Sequence, residues 1–432
     1  GDPWVKGSRE SVPHPQEPLG FTGYQCSDQR PAGVAVDGRP GEDGPLEAAG
    51  ADLVVLQLTA TQGLFCLDAV GSNKGRVVRQ WNPVKTGQDR VVFSCEDRAF
   101  GFDTHDGDPM IWSLSEPFGA RCWWPCKDAP SDKADSVDVR ITVPEALVVA
   151  SNGTLVSETD NGATKTYYWR ERYPISTYLV SVAIHPYVVY SDWYRYSPSD
   201  SMEIKFFVFP DHYSSVQPTY AMTKDMISVF ADLFGEYPFI EEKYGHAEFT
   251  WGGGMEHQTN TSYGSSLITG LNRFDWLTAH ELAHQWFGNS VTITRWADIW
   301  LNEGFATYAS WLWLEHDQGP RALQAMVDES LRMLRGKDYP LLTDPESDLF
   351  SANVYRRGAL TLHALRLTVG DEAFLRILRE WAARYEYANA TTDDFITLAQ
   401  ELATDVPAAK LSGLFDAWLF EEDLPDLPEA ES

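Results

Sequence analysis

Residues 279–286 read Ala279-His280-Glu281-Leu282-Ala283-His284-Gln285-Trp286, and nineteen residues after His284 comes Glu303, in Asn302-Glu303-Gly304-Phe305. His280 and His284 are four apart, so on a helix they share one face and grip one ion together. Imidazole nitrogens suit Zn2+, at about 2.0–2.1 Å in a tetrahedral site. Glu281 sits beside them, placed to take a proton from a water that the ion activates. The bland alternative is two helix-surface histidines around a salt-bridging glutamate. A catalytic zinc needs a third protein ligand and one open position. Glu303 opens the next helical stretch, behind an apolar anchor of Trp296, Ile299, Trp300 and Leu301. Alone it reads as a first-turn acid favoured by the helix dipole. With the two histidines it completes a three-ligand set, His280, His284 and Glu303, for one Zn2+ per chain.

Outward from this segment the chain divides into two characters. From about Ser214 the apolar period is helical, with Met222, Met226, Val229 and Phe230 at three- and four-residue spacing. Helical stretches are expected at 275–287, 303–317, 320–335, 357–368, 371–387, 392–403 and about 407–419. Before residue 198 the signals are β. Val137, Val139, Ile141 and Val143 alternate with polar residues, and the turn pairs Asn152-Gly153 and Asn161-Gly162 separate neighbouring runs. Further strands are expected at Leu53 to Leu58, 76–78, 90–93, Leu179 to Ile184 and Ile204 to Phe209. The expectation is an α+β multidomain chain: a β-rich, antiparallel domain over 1–198 and a mainly helical catalytic domain over 199–432. The first fifty residues hold seven Pro and nine Gly, a loop-like composition with a short strand at most near Val34 to Val36.

Composition narrows the function classes. Of 432 residues, 43% are apolar and 22% charged, enough for a sizeable core. Acidic residues outnumber basic ones 63 to 34, for a formal charge of −29. That argues against nucleic acid or an anionic membrane surface as a partner. No apolar run approaches the roughly 18 residues that cross a bilayer. The five cysteines, Cys26, Cys66, Cys95, Cys122 and Cys126, lie in the first third of the chain, and an odd count leaves at least one thiol free or paired between chains. They read as buried thiols or one or two structural disulfides. The chain begins at Gly1 without a basic-then-apolar leader, so targeting is not legible from the start. Acidic charge and clustered cysteines lean towards an exported bacterial protein, secreted or periplasmic, rather than a cytoplasmic one.

The motif and its spacing resemble the gluzincin aminopeptidases, the family of aminopeptidase N and leukotriene A-4 hydrolase. That family's pattern is H-E-x-x-H, eighteen residues, then E. Three further segments match in the family's order. Gly253-Gly254-Met255-Glu256-His257 is similar to G-x-M-E-N, which implies that Glu256 binds the substrate's α-amino group and that Gly253, Gly254 and Met255 pair with its backbone. Tyr355, in Val354-Tyr355-Arg356-Arg357-Gly358-Ala359, resembles the tyrosine of Y-x-K-G-A, which stabilises the oxyanion. Glu116, upstream of Arg121 and Pro125-Cys126-Lys127-Asp128, falls on the second amine-binding position. An exopeptidase must count one residue from the N-terminus, and a carboxylate at fixed distance from the metal does so by pairing with the ammonium.

The resemblance implies a thermolysin-like catalytic domain and a zinc aminopeptidase acting on peptides with a free N-terminus. It runs from about Leu53 to Phe420, so the helical C-terminal domain of larger members is expected to have no counterpart here, and the cleft is expected to be open to longer peptides or covered by a partner chain. Two departures stand out: His257 replaces the usual Asn, and Arg357 replaces Lys. A zinc endopeptidase with an open cleft and a non-catalytic scaffold of the same fold are the alternatives; the paired glutamates count against the first, the intact ligand set against the second. Asp298 reads equally as an acceptor behind a zinc-bound histidine or as a helix N-cap. His246, His316 and His363 lack partners at ligand spacing and read as packed or exposed.

Overall fold

Alternation in the first half becomes sheet. The computed structural model describes residues 99–429, except 125, 272, 337–340 and 342–348, together with the backbone of three earlier strands. These are β1 (Leu53–Ala60), β2 (Gly63–Val70) and β3 (Val78–Pro83). The strands expected at 34–36 and 90–93, and the side chains of Cys26, Cys66 and Cys95, lie outside the described residues. There follow β4 (Phe100–His105), β5 (Asp108–Ser113), β6 (Val137–Pro144), β7 (Val148–Ser151), β8 (Thr154–Asp160), β9 (Thr164–Glu171) and β10 (Val182–His185). A six-stranded antiparallel sheet has the order β3-β2-β1-β6-β9-β8, and a four-stranded one the order β4-β5-β10-β7. In β6, Val137, Val139, Ile141 and Val143 are buried and the residues between them half-buried. Each such side chain contributes roughly 1.5–3 kcal/mol by leaving water. Gly153 and Gly162 take φ of 71° and 91° in the expected turns.

The third sheet joins the two halves. Strands β11 (Val188–Arg195) and β12 (Ser201–Val208) form an antiparallel hairpin, and β12 then pairs in parallel with β13 (Lys243–Phe249). β13 pairs in parallel with β15 (Thr261–Gly264), and β14 (Gly254–Met255) closes the edge, giving the order β11-β12-β13-β15-β14. Residue 198 lies in the turn of the β11–β12 hairpin, so one sheet carries strands from both sides of the expected division.

Helices supply the remainder: α1 (Tyr213–Tyr220), α2 (Thr223–Phe234), α3 (Asp275–Ala283), α4 (Trp300–Gln318), α5 (Pro320–Leu334), α6 (Gly358–Val369), α7 (Asp371–Arg384), α8 (Thr392–Leu402) and α9 (Ala408–Phe415). A short parallel bridge pairs β16 (Thr292–Ile293) with β17 (Asn389–Ala390). Among the described residues no helix is long and apolar enough to cross a membrane. The ends differ from expectation where local chemistry intervenes. The expected helix 275–287 stops at Ala283, because the chain turns through Gly288 at φ 137°. The expected start at 303 moves back to Trp300, which leaves Glu303 in the first turn of α4. The strand expected from Leu179 begins at Val182, since 177–179 form a 3-10 turn. Thr391 and Asp394 cap α8 reciprocally.

Two glycines let α4 and α6 meet. A Cβ on Gly304 would stand 2.8 Å from the Gly358 Cα, and one on Gly358 would stand 2.9 Å from the Gly304 Cα. The contact lies one residue beyond Glu303. Arg357, beside it, is fully buried; its guanidinium donates to the carbonyls of Ala417, Trp418, Glu421, Glu422 and Asp423. The lysine-to-arginine departure thus serves a structural purpose, since a planar five-donor group gathers a set of carbonyls that one ammonium could not span. Gly304→Ala should force the helices apart and lower unfolding stability by about 1–3 kcal/mol, as overpacking does; urea titration of variant and parent measures it.

Candidate metal centre

The three expected ligands meet. His280 and His284 lie on one face at the end of α3, and Glu303 reaches them from α4. Their donor atoms form a nearly equilateral triangle: His280 Nε2 to His284 Nε2 is 3.1 Å, His280 Nε2 to Glu303 Oε2 is 3.2 Å, and His284 Nε2 to Glu303 Oε2 is 3.3 Å. A tetrahedral ion with donors at about 2.0–2.1 Å spaces them about 3.3–3.4 Å apart, so the triangle is close to the size Zn2+ requires. His284 Nδ1 lies 3.0 Å from the Phe287 carbonyl, which orients the ring and leaves Nε2 as the donor facing inward. All three residues are buried.

Charge makes the same demand. Glu116, Glu256 and Glu281 surround the triangle, of which Glu303 is one corner. Burial pushes Glu116 and Glu281 well above the usual carboxylate range, with neighbouring carboxylates adding. Burial pushes Glu256 up to about 7, opposed by His284 and reinforced by Glu303. Glu303 behaves oppositely. Burial would raise it, but the imidazoles of His284 and His280 hold it down at about 2. Burial would lower His284, yet Glu256 and Glu303 carry it up to about 10. Four carboxylates facing two imidazoles in a buried cluster fit a divalent cation at the triangle.

The remaining predicted residues take up positions around it. Glu281 lies against the edge strand: a Cβ at Gly254 would meet Glu281 Oε1 at 2.3 Å, so that position accepts no side chain while Glu281 stays in place. Gly253 takes φ of 90°, and Gly254 and Met255 pair with Tyr263 and Ser262. Glu116 and Glu256 offer carboxylate oxygens within 4.8 Å of one another and of Glu303. Each has its Oε1 buried without a hydrogen-bond partner. Tyr355 sits in a π-helical turn, Asn353–Arg357, with its ring stacked 5.9 Å from that of His280. Burial, with Glu303 and Glu116 adding, raises its phenol well above the ordinary range and keeps it a proton donor.

Other residues fall elsewhere. His257 is fully buried and turns to Ser262 Oγ at 2.9 Å. Asp298 neither backs a histidine nor caps α4; it accepts from Arg295 and from Thr392 Oγ1, fastening the start of α8. His246 is packed among tyrosines, and burial lowers it to about 3. His363 contacts Tyr308, and His316 is exposed. Two supporting amides were not anticipated. Gln285 and Asn289 both donate to the Glu256 carbonyl, at 3.4 and 2.6 Å, and Gln285 Oε1 accepts from the Thr259 amide. Gln285 lies inside the quoted motif, but a lone amide has no spacing that marks it.

Two family models match the chain: the peptidase M1 N-terminal domain over residues 96–179, and the peptidase family M1 domain over residues 219–418. A solved variant of an M1 zinc metallopeptidase from Deinococcus radiodurans is 30% identical, with 88% of this chain and 87% of that chain covered at a TM-score of 0.69. The chain is a member of peptidase family M1. A second structure of the Deinococcus radiodurans enzyme, bound to a Tyr-Ser-Ala substrate, is 28% identical over 88% of each chain, with a TM-score of 0.68. Aminopeptidase M1 of Arabidopsis thaliana is 29% identical over 74% of this chain, and glutamyl aminopeptidase of Sus scrofa 28% identical over 72%. The matches take in 38% and 34% of those two relatives, so the chain spans little more than a third of their length. Zinc is the metal of the M1 structural neighbours, and the donor triangle fits it. Glu303→Ala should weaken zinc binding by more than about 100-fold, beyond what loss of a supporting hydrogen bond costs; equilibrium dialysis with metal analysis reads it.

Proposed function

We propose that this M1 family chain is an aminopeptidase, removing the N-terminal residue of peptides. The observation that carries the reading is the pair of buried, unpartnered Oε1 atoms of Glu116 and Glu256 beside the ligand triangle. An ammonium has three donors and no acceptor, so it satisfies both oxygens and offsets their repulsion. A peptide so held places its first carbonyl at a fixed distance from the metal ligands. An endopeptidase, which must admit chain on both sides of the scissile bond, has no use for that pair.

His280, His284 and Glu303 would hold Zn2+, which when bound would supply Lewis acidity to the carbonyl and lower the pKa of water. Glu281 takes the proton of the attacking water and returns it to the leaving amine. Tyr355 donates to the oxyanion. The edge strand β14 offers its outer backbone groups to an extended substrate, with Gly253 and Gly254 permitting close approach. Cys122 is disulfide-bonded, while Cys126 is a free thiol that burial pushes up to about 12. The disulfide supports an oxidising, extracytoplasmic location.

Aminoacyl-anilides with N-acetylated controls, assayed before and after chelation and zinc restoration, test the reading: zinc-dependent cleavage confined to free amines is expected. Glu281→Gln should keep its zinc and lose about 1,000- to 10,000-fold in kcat, whereas near-parental turnover would refute the base. Glu256→Ala should cut kcat/KM on free-amine substrates by about 100-fold or more and leave the residual rate on blocked ones unmoved. Gly254→Ala, which displaces Glu281, should lower kcat by about 100-fold at full zinc content.

A further inference from the structure

A second set of ligand-type side chains lies outside the catalytic cluster and shares no residue with it. His105 ends β4, beside a tight turn in which Asp106 and Gly107 take φ of 50° and 91°. Asp211 and His212 lie in the 3-10 turn Pro210–His212 between β12 and α1. His105 Nε2 stands 3.0 Å from Asp211 Oδ1, and His212 Nε2 stands 3.5 Å from Asp211 Oδ2. One donor atom from each of the three residues lies within 4.8 Å of the others.

The orientation of His212 distinguishes this group from a surface ion pair. Its Nδ1 is 2.8 Å from Glu248 Oε2, and the Glu248 side chain has no exposure at all. With Nδ1 held by that carboxylate, Nε2 is the nitrogen turned toward the second oxygen of Asp211. A carboxylate behind an imidazole whose other nitrogen points at further donors is the arrangement that supports metal-bound histidines. Glu248 keeps its other oxygen, Oε1, buried and unpartnered. Asp106 adds negative potential at His212. His105 itself is stacked on Phe209 at 4.0 Å, which fixes its ring. Beyond Phe209 a third imidazole, His185, has its Nδ1 at the Pro109 carbonyl and its Nε2 buried without a partner. The cluster opens to solvent on one side, where Asp211 is 43% exposed and the imidazoles 19% and 25%.

We propose that His105, Asp211 and His212 form a second metal site, taking Zn2+ or a similar borderline divalent cation through two imidazoles and one carboxylate, with water completing the shell. Its location gives it a consequence. His105 belongs to the β4–β5 hairpin and the other two ligands to the turn that enters the helical half, 106 residues away. The backing carboxylate is on β13, whose next turn is tied to β4 through Thr250 Oγ1 and Asp103 Oδ2 at 2.6 Å. An ion here cross-links the two halves at the root of the segment that leads to Gly253 and Gly254.

The test is zinc stoichiometry on the whole chain, stripped by chelation and dialysed against micromolar free Zn2+. The parent should hold two ions, His280→Ala one, and His105→Ala and Asp211→Ala one each; His280→Ala combined with Asp211→Ala should hold none. Asp211 is exposed, so its substitution keeps the test alive should His105→Ala fail to fold. Glu248→Gln should weaken the second ion alone by about 10- to 100-fold. Saturating Zn2+ should also raise the Tm of His280→Ala, and not that of the double variant. A single ion in the parent that His280→Ala abolishes, or two ions retained by a natively folded His105→Ala or Asp211→Ala, would overturn the site.

Discussion

Four buried carboxylates facing two imidazoles are the constraint around which this molecule is organised. Glu116, Glu256, Glu281 and Glu303 come from separate segments, and at the ligand triangle the imidazoles of His280 and His284 are what opposes their charge. Like charges at such separations raise one another's pKa, so the arrangement persists only because the surrounding packing holds it. The free energy stored there is released when cations arrive. A metal ion satisfies the triangle, and an ammonium satisfies the outer pair. Affinity for metal and for a free N-terminus are, in this reading, two consequences of one concentration of charge.

Holding the groups in place falls to residues with no chemistry of their own. Glycine is required where Gly254 passes Glu281 and where Gly304 meets Gly358, because a Cβ at either place would lie under 3 Å from its neighbour. Gln285 and Asn289 fix the backbone of Glu256 from the helix and turn that carry the histidines. Arg357 ties the turn bearing Tyr355 to the carbonyls of 417–423. Tyr355 thus depends on a segment more than sixty residues further along the chain. Losing that guanidinium would leave several carbonyls unpaired at once, each worth about 1 kcal/mol or more.

What was legible in the chain follows from the range of the interactions concerned. The spacing of His280 and His284 is a helical period, and the period of β6 is that of a strand, so both could be read locally. Glu303 was found because an ion demands a third donor, a chemical rule rather than a structural one. Helix ends were misplaced by a few residues where Gly288 or the Trp296 to Asp298 turn intervened. The parallel pairing of β12, β13 and β15 left no mark, because it depends on which strands the connecting helices bring together. Arg357 read as a substituted lysine; its partners are backbone carbonyls, which carry no sequence signature. His105 was silent for a different reason, being 106 residues from the carboxylate it meets.

The junction between the halves is therefore part of the site rather than a hinge beside it. Glu116 belongs to the β-rich half and Glu256 to the helical half, and the proposed ammonium position lies between them. Other polar groups span the same boundary. Asn152 Nδ2 donates to the Gln258 carbonyl at 2.7 Å, two residues beyond Glu256. Lys133 Nζ donates to the carbonyls of Asn289 and Ser290, next to the amide that holds Glu256. Burial lowers the Lys133 ammonium to about 7, so a carbonyl pair is accepted in place of a counter-ion. A shift of one half by an ångström would separate the two carboxylates while leaving His280, His284 and Glu303 intact, since all three ligands lie on the helical side. Metal binding and N-terminal selectivity are thus separable in principle: the first belongs to two packed helices, the second to the registration of two sheets against them.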